Sequence, residues 1–266
     1  MANKNRYKPT ISVITVVFNG EPYLESCIKS IIGQTYESLE YLVVDGGSSD
    51  GSVEIIRKYE TDIDFWISEP DDGIADAMNK GLAMASGDYI IFLHSDDYFI
   101  DSTVLECASR KMTGHDIYVF QVILEDGGSK KRSKNRSLDW RTNLKMGSCH
   151  QGQFCLKRLF EQIGPFDVSF KINMDYDFIL RAYRVGATSL SVDIPVSVMR
   201  LIGVSSRSDW QGLEERFLEE HKIHMKNCTG QWMRLFYVVY WYVYIIYRRM
   251  FFILRGCREN VFKLFE

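Results

Sequence analysis

Cysteine, proline and net charge are all scarce in this chain. Its six cysteines, at positions 27, 107, 149, 155, 228 and 257 of 266, form no C-x-x-C pair and no metal-finger spacing. A disulfide scaffold and a zinc module are therefore not expected, and a reduced, cytoplasmic protein is. The formal net charge is only −3, so no general affinity for nucleic acid is expected. The opening residues, MANKNRYKPT, lack the apolar core of a signal peptide. No internal repeat or low-complexity tract occurs. There is no G-x-G-x-x-G after the first apolar run and no G-x-x-x-x-G-K-[ST] anywhere, which sets aside dinucleotide-binding and P-loop enzymes.

What is present is the composition of a folded globular protein, 46% hydrophobic and 25% charged. ISVITVVF (11–18) reads as a buried strand, and Leu24, Cys27, Ile28, Ile31 and Ile32 then recur at helical spacing behind Pro22. LEYLVVD (39–45) predicts a second strand, VEIIRKY (53–59) a helix and DFWIS (64–68) a third strand. A helix over 74–85 and the strand DYIIFL (88–93) follow. This alternation with short turns implies an α/β fold with a mostly parallel sheet and right-handed crossovers. After about residue 115 the rhythm breaks. IYVFQVIL (117–124) and the basic KKRSKNR (130–136) suggest a hairpin with a solvated loop. Helices near 156–163 and 174–185 and strands near 188–200 close the domain.

In open parallel sheets ligands collect at the carboxyl ends of the strands. Here those ends read VFNGE, DGGSSDG and HSDD. Asp45 stands where a nucleotide base or ribose could find an acidic acceptor, although Asp45-Gly46-Gly47 is also ordinary turn chemistry. The run YIIFL ends on His94, Ser95, Asp96 and Asp97. Two adjacent carboxylates repel one another unless a cation lies between them. They suit Mg²⁺ or Mn²⁺ held together with substrate phosphates; the simpler reading is a helix cap. A second acidic pair, Asp175 and Asp177, lies two apart on a predicted helix, so the two do not share a face. One is free to enter a cleft, or either interacts with the helix dipole.

Taken in order, ISVITVVFNGEPYLESCIKSIIGQTY, LEYLVVDGGSSDGS, DDGIADAMNKG, GDYIIFLHSDD, CHQGQF, GPFD and MDYDFILR resemble glycosyltransferase family two, inverting transferases of GT-A fold. The resemblance spans roughly residues 10–206 and is nearest to bacterial enzymes of capsule, exopolysaccharide or O-antigen synthesis. It implies a GT-A domain over residues 1–228. It implies that Val16, Phe18 and Asn19 line the nucleotide base, that Asp45 contacts it, and that Asp72, Asp76, Asn79 and Lys80 lie around the donor. HSDD matches the family's metal-binding D-x-D segment, with His94 in the first acidic position, Asp96 on the donor side, and Asp96 and Asp97 as metal ligands. Asp175 matches the general base, with Met174 where the family often has glutamate. His150 and Gln151 match an acceptor-side His-Gln. LIGVSS (201–206) resembles a Gly-x-Ser segment, with Arg200 and Arg207 as diphosphate candidates.

The expected activity is metal-dependent transfer from a nucleotide sugar, a UDP-sugar by preference, to a lipid-linked saccharide. The rival enzyme reading is a nucleotidyltransferase, which releases pyrophosphate instead of a nucleoside diphosphate. The non-enzyme rival is a sugar-nucleotide-binding scaffold that has lost turnover. From Trp232 the composition turns aromatic and basic. Leu235–Tyr247 is an uncharged stretch of thirteen residues, about 20 Å as a helix and too short to span a bilayer. With Arg234, Arg248, Arg249 and Arg255 around it, residues 229–266 read as a headgroup-level anchor on the inner face of the cell membrane. The other reading is a packed or homodimer surface. His221 and His224, i and i+3 before this tail, read as surface polar positions rather than a metal pair.

Overall fold

A computed structural model of the protein describes residues 8–203 and 206–263, with side chains as far as Leu254. The polar residues 1–7, Val204 and Ser205 of the Gly-x-Ser segment, and the side chain of Arg255 lie outside the described residues. Contacts divide the chain after Gly203 into two compact units.

The first unit begins with four strands whose apolar runs set their order. They are β1 (Ile11–Val17), β2 (Leu39–Asp45), β3 (Phe65–Ser68) and β4 (Tyr89–Phe92), and they pair in parallel as β3-β2-β1-β4. Helices α1 (Glu21–Ile32), α2 (Ser52–Lys58) and α3 (Ile74–Met84) make the crossovers. All seven residues of β1 are buried, because helices cover both faces of this half of the sheet. Ile11, Val13 and Val17 join Leu24 and Ile28 of α1 in one buried cluster. Alternate residues of a strand face opposite ways, and Ile14 accordingly meets α3. There Gly81 allows close approach, since a Cβ on it would lie 2.5 Å from Ile14 Cγ2.

The second half of the sheet is mixed. β8 (Gln153–Leu156) pairs antiparallel with β4 and with β6 (Ile117–Asp126). β6 runs parallel to the long, bulged β9 (Ser189–Arg200), and β5 (Tyr98–Phe99) lies antiparallel to β9 at the far end. β7 (Ser129–Arg132) closes the expected hairpin against β6, with its side chains exposed. Parallel pairing still accounts for most of the paired length. α4 (Val104–Ser109) packs with the α1 cluster. α5 (Lys157–Ile163) and α6 (Met174–Arg184) pack on one another through Phe160 and Phe178, whose rings stack at 4.1 Å.

The second unit is a pair of helices, α7 (Trp210–Lys226) and α8 (Gln231–Lys263), joined by a short turn. Phe217, Tyr237 and Trp241 form its core. The expected boundary at 228 moves to Gly203, because α7 packs with α8 in the second unit. The reading of His221 and His224 as surface positions is corrected for His224. It is fully buried, lies flat on Tyr237 at 4.3 Å, and its Nδ1 accepts a hydrogen bond from Trp241 Nε1 at 2.8 Å. Among the described residues no helix is long and apolar enough to cross a membrane.

Candidate active site

The carboxyl ends of β1, β2 and β4 open on one edge of the first unit, and the loops there are tied together by short polar side chains. Asn19, after β1, adopts a left-handed φ of 51°, a region that asparagine tolerates better than most residues. In that geometry its Oδ1 accepts from Ser49 N at 2.9 Å, while its own N–H donates to Ser48 Oγ at 2.7 Å. Val16 is buried in β1, and Phe18 projects outward, 65% exposed. An exposed aromatic at a strand end is available to stack on a planar ligand.

Asp45 ends β2 with no exposed surface. Its Oδ2 accepts from Gly47 N at 3.1 Å, Ser48 N at 3.0 Å and Ser68 Oγ at 2.6 Å, and its Oδ1 accepts from Ser48 Oγ at 2.5 Å. The carboxylate therefore ties the DGGSS turn to β3. Asp71 also reaches this turn, its Oδ2 filling the space that a Cβ on Gly46 would need. Asp72 is exposed; its N–H donates to Asp76 Oδ2 at 3.2 Å, and Asp76 pairs with Lys80 at 3.4 Å. Lys80 also pairs with Glu69 at 2.9 Å and donates to Pro70 O at 2.9 Å. Asn79 spends both ends of its amide on the main chain of Phe166, at 2.8 and 2.9 Å, and so staples α3 to the GPFD turn.

A second group of predicted residues converges across the end of β4. The rings of His94 and His150 are 4.6 Å apart, and His150 Nδ1 lies 3.5 Å from Asp175 Oδ2 at the start of α6. Gln151, in the same short turn as His150, donates from Nε2 to Asp97 Oδ2 at 2.9 Å. Ser197 of β9 fixes that turn from behind by donating to Gln151 O at 2.8 Å. Asp177 points elsewhere, as its spacing from Asp175 requires. It is fully buried and accepts from Arg181 Nε at 2.8 Å, while Arg181 forks onto the carbonyls of Ile163, Gly164 and Pro165. A narrow pocket, open to solvent, is lined by His150 and Asp175 together with Met78, Phe92, Phe160 and Phe178.

This cluster is short of hydrogen bonds. His94 Nδ1, Asp97 Oδ1, His150 Nε2 and Gln151 Oε1 are shielded from solvent and have no partner within it. Buried polar atoms left unmet are rare in folded proteins, and ordered water, a ligand or an ion ordinarily meets them. Burial, and then the neighbouring Asp96 charge, pushes the Asp97 carboxyl up to about 7. Burial raises Asp96 as well. Burial, followed by the nearby His150, holds His94 well below the usual imidazole range, so its ring is neutral at pH 7.

No set of three or more His, Cys, Asp and Glu side chains able to hold a metal exists among the described residues. Two crowded carboxylates with one oxygen unpartnered nevertheless fit a hard divalent cation that takes its other ligands from substrate phosphates and water. Arginine was expected near the diphosphate. Arg207 is instead paired with Asp209 and Glu215, each at 3.1 Å, and Arg200 donates to the Asp96 carbonyl at 2.6 Å.

Comparison with known proteins assigns the family. The model described as glycosyl transferase family 2 matches residues 12–173. The chain belongs to glycosyl transferase family 2. It is a glycosyltransferase, similar to an uncharacterized glycosyltransferase of Mycobacterium tuberculosis at 38% identity over 183 residues, 66% of this chain and 70% of that protein. A PGL/p-HBAD biosynthesis glycosyltransferase of Mycobacterium bovis is 29% identical over 181 residues, again 66% and 70%. Among solved structures, S. aureus TarS 1-349 in complex with UDP-GlcNAc aligns over 84% of this chain and 68% of its own, with TM-score 0.65 and 20% identity. A mannosyltransferase from Pyrobaculum calidifontis, in complex with GDP-Man and Mn²⁺, aligns over 86% and 67% with TM-score 0.64 and 17% identity. At these identities the likeness is one of fold, and the first unit of this family 2 glycosyltransferase has the GT-A architecture.

Proposed function

We propose that this glycosyltransferase inverts the anomeric centre of a nucleotide sugar, with a UDP-sugar as donor and a hydroxyl of a lipid-linked saccharide as acceptor. The observation that carries the reading is the joining of two acidic positions with separate tasks. Gln151 and His150, adjacent in one turn, reach Asp97 on one side and Asp175 on the other. Inversion by a single displacement asks for that division, because one end of the reaction releases negative charge and the other releases a proton.

On the donor side, Phe18 and Asn19 border the base and His94 offers a neutral ring to a sugar hydroxyl. Asp96, partly buried, is assigned as the main cation ligand, with Asp97 next to it in the chain. A bound Mn²⁺ or Mg²⁺ supplies positive charge against the departing nucleoside diphosphate. Asp175 accepts the proton of the attacking hydroxyl, a task worth roughly 10²–10⁴-fold. His150 keeps that carboxylate turned toward the pocket. The complexes of structural neighbours with UDP-GlcNAc and with GDP-Man and Mn²⁺ support donors of this class and a divalent ion.

The second unit supports attachment to the headgroup layer of a membrane. Trp232 is 86% exposed and Tyr242 72%; Leu235, Phe236, Val239, Val243 and Ile246 are exposed with them, and Arg234 and Arg249 lie at the surface. Aromatic and basic side chains on one helix suit an anionic lipid surface. Failure of the chain to bind anionic vesicles, with dimers in sedimentation, would assign this face to a second copy instead.

A thermal-shift panel of UDP- and GDP-sugars with Mn²⁺ tests the donor, since a ligand that binds only the folded state raises Tm. A UDP-sugar is expected to give the largest shift, and turnover is expected to release UDP. Release of pyrophosphate would mean nucleotidyl transfer.

A further inference from the structure

Arg200 is the last residue of β9, opposite Glu125 of β6 in the parallel ladder. Each of its three guanidinium nitrogens has a partner within 3.6 Å. Two tyrosine rings lie against it, Cζ being 4.5 Å from the centre of Tyr98 and 5.0 Å from that of Tyr23. Nη1 donates to the main-chain carbonyl of Asp96 at 2.6 Å, Nη2 reaches Ser26 Oγ at 3.4 Å, and Nε faces Glu125 Oε2 at 3.6 Å. Tyr23 and Ser26 belong to α1, which begins just after the β1 end; Tyr98 belongs to β5, which follows the HSDD turn. One side chain therefore binds α1, the acidic turn, β5 and β6 together.

We propose that Arg200 is a positioning residue, which fixes the Asp96 main chain against α1 and thereby presents the Asp96 carboxylate to the donor phosphates. The inference rests on the assignment of Asp96 to the donor site, and it differs from a direct arginine clamp on the diphosphate. A clamp needs free N–H groups facing the ligand. Here the nitrogens turn to the protein's own carbonyl, hydroxyl and carboxylate, and two tyrosine rings lie against the guanidinium. The cation thus does its work on the protein's own backbone. Its neighbourhood supports the same reading: Glu125 also pairs with Lys130 at 3.1 Å, and Lys130 donates to Tyr98 Oη at 3.3 Å. Glu125 and Tyr98 are in this way held in place to receive the guanidinium. Lysine cannot substitute, since a compact ammonium has neither the planar face for two rings nor the fork for three acceptors.

Two measurements on Arg200→Lys and Arg200→Met decide the matter. The first is amide hydrogen exchange over residues 94–99, whose N–H groups include Asp97 bonded to His94 O at 3.0 Å and Phe99 bonded to Ser30 Oγ at 3.1 Å. Exchange there should quicken roughly tenfold or more in both variants, as expected when a charge-assisted hydrogen bond holding the turn is lost. Exchange in β1 should stay as in the wild type. The second is calorimetry of UDP with Mn²⁺ in a cycle of Arg200→Lys, Asp96→Asn and the double variant. Because Arg200 acts through Asp96, its tenfold or greater loss of UDP affinity should disappear in the Asp96→Asn background. Unchanged exchange in both variants would overturn the proposal. So would a loss that multiplies with that of Asp96→Asn, or an Arg200→Lys variant that binds UDP like the wild type, for then the charge itself would touch the ligand. If the wild type binds neither UDP nor GDP, the donor assignment fails instead, and the exchange measurement still decides whether Arg200 holds the turn.

Discussion

Asp45 and Asp97 are both buried aspartates in the loops at the strand ends, 0% and 1% exposed, yet their surroundings are opposite. The Asp45 carboxylate receives four hydrogen bonds from its own turn and from Ser68. Asp97 receives one side-chain amide from Gln151, has the main chain of Arg200 beside it, leaves Oδ1 without a hydrogen bond of good geometry and sits next to a second carboxylate that raises it further. A buried charge is tolerated when the chain supplies its partners, and where the chain withholds them something else must. Asp45 holds a loop in shape. The Asp96–Asp97 turn is left electrostatically incomplete, and that is where the reaction is assigned.

The largest effect expected from breaking this contrast is at the incomplete end. Asp96→Asn removes one cation ligand without changing volume, and turnover should fall by roughly 10³-fold, since metal stabilisation of a leaving group is worth several kcal/mol. Thermal unfolding of the variant without ligand should be nearly unaltered. Undiminished turnover, or full activity in EDTA, would remove Asp96 from the donor site. Next in size is Asp175→Asn, for which kcat should drop by roughly 10² or more while UDP affinity survives. A collapse of affinity along with kcat would move Asp175 to the nucleotide side.

At the complete end the prediction concerns stability. Asp45→Ala strips four donors of their acceptor, including two main-chain N–H groups. Chemical denaturation should show a loss of about 2–4 kcal/mol, from buried donors left unmet. Loss of nucleotide affinity with no loss of stability would show instead that Asp45 is a base contact and not a brace.

Much of this contrast was hidden in the sequence for an identifiable reason. Continuous β-branched runs placed β1, β2 and β4 within a residue or two, because burial on both faces leaves an unmistakable pattern. β8 and β5 carry only four and two residues, too few for any period to register, and they became visible only as pairings with β4, β6 and β9. The same divide holds at the site. HSDD, the His-Gln pair and MDYD stand out as local chemistry, and the structure joins them pairwise, His94 to His150, His150 to Asp175 and Gln151 to Asp97. Asn79, expected near the donor, is committed to Phe166, 87 positions away in the chain. Arg200 reads as a loose cation until Tyr23, Tyr98 and the Asp96 carbonyl surround it. A residue's chemistry is local, but whether its hydrogen bonds are already spent is a tertiary fact.

The smallest effect sharpens the comparison through pH. Burial and the Asp96 charge raise the Asp97 carboxyl from 3.8 to about 7 in the folded protein, and the two carboxyls titrate as a pair. Between those values the folded chain keeps a proton that the unfolded chain has lost. Stability contributed by this group is therefore greatest at the acid end and declines as pH rises toward about 7. Below about 4 both states are protonated and the slope from this group vanishes. Asp97→Asn is neutral at every pH and can still accept from Gln151, so it should abolish this part of the decline. In the absence of metal ions, Tm of the wild type should fall relative to the variant between pH 5 and 8. The variant should end the more stable of the two at pH 8. Saturating Mn²⁺ and UDP should reverse the order at pH 8, because only the wild type has the second carboxylate to offer the ion. Parallel Tm curves for the two proteins across the whole range would mean that Asp97 carries no penalty. The difference between the two aspartates would then be one of hydrogen-bond count alone.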